Sequence, residues 1–307
     1  MRCFGPGLLV IALALSTLSS SACAQSPEPT TTRPISQSAY PWLAEWRGSL
    51  PPLARLEDRF PTPHNLRRVK AEAGSFAEWL RGLPVRLDRS RVLSYRSRPI
   101  AAPAAAVIAL DLEEGDLQQC ADTLVRLHAE YLWSCGLSAD AGYHFTSGDL
   151  STWQGWQEGE RFAVKGRNVR RVQGPKRPAD HGSYRSWLQH LFIYAGTLSL
   201  ALDSRPVPAG NDLMPGDLFV DPGSPGHAVM VFDVAVDDQG RRWGLIGQGY
   251  TPAQDLHVLL EDGRTAIDGV WFRLPEGDSD RLDTPSWSSF PRTSARRFGV
   301  VHVSSGD

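Results

Sequence analysis

An α+β fold is expected, with helices in the first half of the chain and an antiparallel sheet in the second. Three observations lead there. The chain has 307 residues, 41% of them apolar, which is enough to bury a substantial core. Two stretches, one opening near Leu117 and one over Tyr184–Leu202, repeat apolar residues at helical spacing. After the turn "MPGD" comes a run of short apolar segments: Leu218–Val220, His227–Val236, Trp243–Gln248 and Val270–Leu274.

The N-terminus reads as a targeting segment over residues 1–24. Arg2 precedes the apolar stretch Leu8–Leu18, which is shorter than the ~20 residues needed to cross a bilayer. Small residues follow in "SSSACAQS". Ala22-Cys23-Ala24 fits cleavage before Gln25, while "SSAC" makes Cys23 a candidate for lipidation. Either route exports the chain, to the periplasm or to a lipid anchor in the bacterial envelope. Residues 25–39 are rich in Pro, Ser and Thr and read as a flexible tether. One globular domain is expected over 40–274, followed by a Ser-, Pro- and Arg-rich tail of loop or partial disorder over 275–307.

Within the domain, Ser75 and Glu78 have the spacing of a capping box ahead of a short helix in "SFAEWLRGLP". Val107–Leu112 is a strand candidate. Asp116 and Gln119 have the same capping spacing, so the next helix is expected from Leu117, with Ala121, Leu124, Val125 and Leu132 on its buried stripe. Tyr184, Trp187, Leu188, Leu191, Ala195 and Leu198 form the stripe of the second long helix. Cys120 and Cys135 stand 15 positions apart on the first helix. That is about 22 Å of helix, against the ~7 Å a disulfide tolerates, so no bridge is expected between them.

The chemistry centres on "SPGHAVMVFDVA". It reads as a strand buried on both faces, with an imidazole, His227, at its mouth and Asp233 near its far end. A cysteine nucleophile needs its thiolate, and a helix N-terminus both lowers a thiol pKa and offers free N–H groups for an oxyanion. Cys120 lies in the first turn of its expected helix. His227 is then a candidate base, which needs an orienting partner. The hairpin turn falls near Asp238–Gly240. If Val236 faces Arg241, Val229 faces Gln248 and His227 faces Tyr250, so His227 and Gln248 share a face as diagonal neighbours. A slip of one residue would move Gln248 to the other face. The order Cys120, His227, Gln248 is that of papain-like enzymes.

Plainer readings stand beside these. Cys120, near Leu124 and Leu127, can be a small buried hydrophobe at the fourth helical position. His227 can simply bond a backbone carbonyl at a strand end. Asp255 and His257 in "AQDLHVLL" have strand spacing and read as a second acid–base pair or as a loop-to-strand junction. Glu130 is expected to be buried and paired with an arginine such as Arg126, one turn away. Trp153 and Trp156 in "STWQGWQEG" are stacking platforms for a glycan if exposed, and core if buried. With a net charge of -2 and pI near 6.5, no global field draws nucleic acid or anionic lipid. The eight histidines form no H-E-x-x-H pattern and the cysteines no paired C-x-x-C, so neither metal nor cofactor is expected.

The strings "SFAEWLRGLP", "LQQCADTLVRLHAEYLW", "LFIYAGTLSL", "PGDLFVDPGSPGHAVMVFDVA" and "YTPAQDLHVL" resemble those of a bacterial exported family, the domain of unknown function 4846. That resemblance implies an exported, often lipid-anchored protein and brings no activity with it. "GDLFV", a turn and "HAVMVFDV" also resemble the sheet of NlpC-type papain-like cell-wall peptidases, in which a G-D turn leads into one strand and the catalytic histidine opens the next. That implies a papain-like packing of helices on an antiparallel sheet. The typical aspartate-cysteine-serine-glycine nucleophile motif is absent: Cys120 follows two glutamines and precedes Ala121.

Two functions follow as expectations. One is an envelope cysteine hydrolase, an amidase or peptidase acting on cell-wall peptide. The other is a non-catalytic envelope module that binds glycan or peptide in a tryptophan-lined groove. A scaffolding lipoprotein is a third.

Overall fold

The computed structural model describes residues 34–166, 168–261 and 266–299. The segment expected to be an export signal, Cys23, most of the expected tether and residues 300–307 lie outside the described residues. Ten strands make the central sheet: β1 (Leu66–Arg68), β2 (Ala104–Val107), β3 (Ser204–Pro206), β4 (Asp217–Asp221), β5 (His227–Asp237), β6 (Arg242–Gln248), β7 (His257–Leu259), β8 (Ala266–Ile267), β9 (Trp271–Arg273) and β10 (Ala295–Phe298). Every pairing in it is antiparallel. The order runs β8-β9-β6-β5-β4-β10-β3. The two longest strands each take two partners along one edge. β5 pairs with β4 near its start and with β1 over Ala235–Asp237, while β6 pairs with β9 over Trp243–Leu245 and with β7 over Gly247–Gln248.

Among the described residues six α-helices accompany the sheet: α1 (Leu56–Arg59), α2 (Phe76–Arg81), α3 (Cys120–Ser134), α4 (Trp153–Gln157), α5 (His181–Phe192) and α6 (Thr197–Leu202). The fold is α+β, with antiparallel sheets and few helices. One core packs Leu124 of α3 and Leu188 of α5 against Ala228, Met230, Phe232 and Ala235 of β5. A second core covers the other face, where Val229, Val231 and Val234 meet Phe219, Ile246 and Phe290. Burial on both faces explains why β5 reads as a continuous apolar run instead of an alternating one.

The alternation along β5 breaks once. Val231 faces Ile246 and Asp233 faces Leu245, so one extra residue sits in β5 between them. The ring of Phe232 lies where a side chain at position 247 would stand. A Cβ on Gly247 would come within 1.9 Å of it, so only glycine admits this packing. The bulge corrects the sequence-based register. Val236 faces Arg242 instead of Arg241, one place off, but beyond the bulge Met230 faces Gly247, as the expected register requires. The error at the turn and the unforeseen bulge cancel before the site. Asp233 is fully buried and is bound by Arg68 Nε and Arg81 Nε, each at 2.6 Å, which supplies the charge a buried carboxylate needs.

Other expectations shift. α3 starts at Cys120, not Leu117, because Asp116 does not cap it. Asp116 Oδ1 accepts from the Gln119 amide and from the Ala253 N–H, and Asp122 accepts from the Gln119 N–H instead. The 184–202 helix is two helices. The chain leaves helical geometry over residues 193–196, where the Ser199 hydroxyl accepts the Gly196 N–H and a new first turn begins at Thr197. The strand expected at Val107–Leu112 lies earlier: β2 runs over Ala104–Val107, and past it only Ile108 makes an isolated bridge, with Val85. The 275–307 tail is folded wherever it is described: Arg281–Thr284 and Trp287–Pro291 pair as a hairpin, and β10 inserts between β4 and β3. Its arginines misled the compositional reading because they serve as interior donors. Arg292 is buried and gives its N–H groups to the carbonyls of Val207, Pro208 and Asn211.

Candidate active site

Cys120 is the first residue of α3, with Gln119 in extended geometry before it. Its N–H and that of Ala121 therefore have no intrahelical acceptor. The other helix-end cysteine, Cys135, is exposed, and both thiols are free. His227 is the first residue of β5. The two line one cavity of about 340 Å³, walled also by Ala195–Thr197, Gly223–Gly226, Tyr250, Thr251 and Trp287. Its lining is mostly small residues. Gly249 brings the chain after β6 against α3: a Cβ there would meet Thr123 Oγ1 at 2.5 Å. Thr251 Oγ1 donates to Gln119 Oε1 at 2.9 Å and fixes that loop to the residue before the cysteine.

The thiol and the ring reach the cavity from different sides. Cys120 comes from α3, and the backbone N–H of Ala228 lowers its proton affinity from the strand side. His227 extends to the face carrying Val229 and Val231, among Tyr250 (4.7 Å between ring centroids), Trp287 (5.2 Å) and Phe290 (6.1 Å). Among the described residues no hydrogen bond joins Cys120 to His227, and both are buried. Gln248 Oε1 accepts from His227 Nε2 at 2.8 Å. The Gln248 amide in turn donates to Ser286 Oγ at 3.0 Å and faces His257 Nε2 at 3.3 Å.

Burial sets the proton affinities here. Desolvation, then the neighbouring Asp122 charge, push the Cys120 thiol up to about 11 against the pull of three backbone N–H groups. Burial brings His227 down to about 4. At neutral pH the pair is thus an uncharged thiol and an uncharged imidazole. Asp122, also on the cavity wall, is pushed up to about 8 by burial, and its Oδ1 has no hydrogen-bond partner among the described residues. Near pH 7 it is therefore mostly protonated, and its repulsion of a thiolate is then small.

The remaining sequence candidates fall elsewhere. Trp153 and Trp156 are buried in the helical core, against Tyr184 and Trp187 and beneath the Arg161 guanidinium respectively, so neither offers a ring face to a glycan. The tryptophan at the cavity is Trp287, from the segment read as tail. Asp255 spends its carboxylate on Arg89 and the Leu93 N–H. Its backbone carbonyl, not its side chain, meets the His257 ring. Glu130 pairs with Arg126 as expected, and with His181 Nε2 at 2.8 Å. Among the described residues no group of three or more His, Cys, Asp or Glu is arranged to hold a metal. Asp122, Ser286 and Trp287 were not foreseen. The capping spacing Gln119–Asp122 was the one available signal for Asp122.

A buried thiol at a helix start, an imidazole at a strand start and a side-chain amide on that imidazole define an α+β protein with a cysteine–histidine–glutamine constellation. The chain belongs to the family described as domain of unknown function (4846), matched over residues 56–297. No curated protein and no solved structure matches it.

Proposed function

We propose that the protein is an exported cysteine hydrolase that cleaves an amide or ester bond of cell-wall peptide, on a papain-like arrangement of helix and sheet. One observation carries the reading: Cys120 at a helix N-terminus and His227 line one cavity, with His227 Nε2 held by Gln248. As the substrate carbonyl settles over α3, His227 Nδ1 takes the thiol proton while the sulfur–carbon bond forms. The carbonyl oxygen becomes an oxyanion beside the N–H groups of Cys120 and Ala121, which have no intrahelical acceptor and turn from the sulfur to the oxygen. The carbon–nitrogen or carbon–oxygen bond then breaks, and the leaving group receives the proton from His227. Water, deprotonated by the same ring, releases the acid and restores the thiol. Because both groups start neutral, proton transfer accompanies attack and does not precede it.

The substrate class rests on two features. The N-terminal segment reads as an export signal, and the cavity wall of Ala195, Gly196, Gly223 and Gly226 suits small side chains such as the alanines of stem peptides. No helix among the described residues is long and apolar enough to cross a membrane. The test is muropeptide cleavage by the parent and by Cys120→Ala and Cys120→Ser. Loss of about 10²-fold or more in kcat is expected for both. Equal turnover by parent and variants removes Cys120 from the chemistry.

A further inference from the structure

The base in this site needs one particular tautomer. His227 accepts the thiol proton at Nδ1 only if its own proton sits on Nε2, and that depends on which end of the Gln248 amide faces the ring. Both ends of a side-chain amide fit the same space, so something beyond Gln248 must choose. Ser286 Oγ does not choose, because a hydroxyl both donates and accepts. A backbone carbonyl does. The Asp255 carbonyl oxygen lies 2.9 Å from His257 Nδ1 and can only accept, so His257 carries its proton on Nδ1. Its Nε2 is then a bare lone pair, 3.3 Å from the Gln248 amide. The NH₂ end must turn toward it, and Oε1 is left for His227 Nε2–H at 2.8 Å.

We propose that His257 is a positioning residue for the catalytic base: through Gln248 it holds His227 with Nδ1 free to take the Cys120 proton. The proposal rests on the hydrolase reading of the same site. His257 is fully buried in β7 and paired to both β6 and β2, so its ring cannot swing away. Burial also lowers its proton affinity, which keeps the ring neutral and the lone pair available. The paired residues Asp255 and His257 thus act in series, backbone carbonyl to ring, and not as an acid–base pair of their own.

Imidazole ¹⁵N NMR on the full chain at pH 7 reads the tautomers without any substrate. Opposite tautomers are expected, Nδ1–H on His257 and Nε2–H on His227. A His227 ring protonated at Nδ1, or an even mixture, overturns the relay. In His257→Leu the fixed acceptor is gone, so an Nδ1–H population should appear at His227. Muropeptide kcat should fall about tenfold or more with KM little changed. His257→Asn, whose side-chain oxygen can again accept from Gln248, should restore the Nε2–H form. If the leucine variant does not fold, the parent spectrum and the asparagine variant still decide. The two readings fail separately. Cys120-dependent turnover with an unchanged His227 tautomer in folded His257→Leu removes the relay alone. The expected tautomers with Cys120-independent turnover remove the hydrolase reading alone.

Discussion

At the scale of single residues, the site is defined by how burial moves protons. Cys120 is held as a thiol, His227 as a free base down to about pH 4, and Asp122 as a neutral acid up to about pH 8. Two limbs follow for kcat/KM. Activity should rise as pH passes about 4 and His227 loses its proton. It should fall above about 8, where the Asp122 charge appears beside the forming oxyanion and the thiol. Asp122→Asn keeps an acceptor for the Gln119 N–H but cannot ionise, so the upper limb should disappear or move up. A parent and a variant with superimposable pH profiles would remove Asp122 from the account. Little of this was legible beforehand. Cys120, His227 and Gln248 each carry a recognisable residue type at a readable position. Asp122 reads as an ordinary helix-start acid, and nothing in its sequence neighbours marks its burial.

The elements show which kinds of pattern survive reading. Periodicity placed α3, α5 and the four apolar segments of the sheet, because apolar burial repeats at the spacing of the backbone that presents it. Interruptions were harder. The start of α3 moved by three residues because Asp116 is used across space, by Ala253, and not along the helix. The β5 bulge has no local mark except Asp233, whose partners Arg68 and Arg81 lie more than 150 positions away. Gly247 is its sequence counterpart, since the Phe232 ring fills the space a side chain would need. Gly247→Ala should therefore cost about 1–3 kcal/mol in urea unfolding, the ordinary penalty of overpacking a tight core. It should also slow muropeptide cleavage, because Gln248 is the next residue. A variant as stable as the parent would mean that the bulge does not depend on this contact.

For the molecule as a whole, the fold class was legible and its closing segment was not. The 275–307 stretch looks like a tail because its apolar residues are sparse, yet Leu282, Phe290, Ala295 and Phe298 are all buried and β10 lies inside the central sheet. Arginine donors replace the missing hydrocarbon: Arg297 binds Asp217 through two N–H groups, and Arg296 caps the carbonyls of Ala201 and Ser204. A chain ending at Leu274 should thus lose cooperative unfolding altogether, as read by a thermal melt, and not merely shed a disordered end. A cooperative transition at the parent midpoint would contradict that. The same segment brings Trp287 to the cavity and Ser286 to the Gln248 amide, so the site draws on residues far along the chain from the cysteine. The most direct measurement of the central claim is intact-mass analysis of the protein quenched during turnover of a muropeptide. A covalent acyl adduct is expected on Cys120, released by hydroxylamine and absent from His227→Ala. Turnover without any adduct, undiminished in Cys120→Ala, would contradict it.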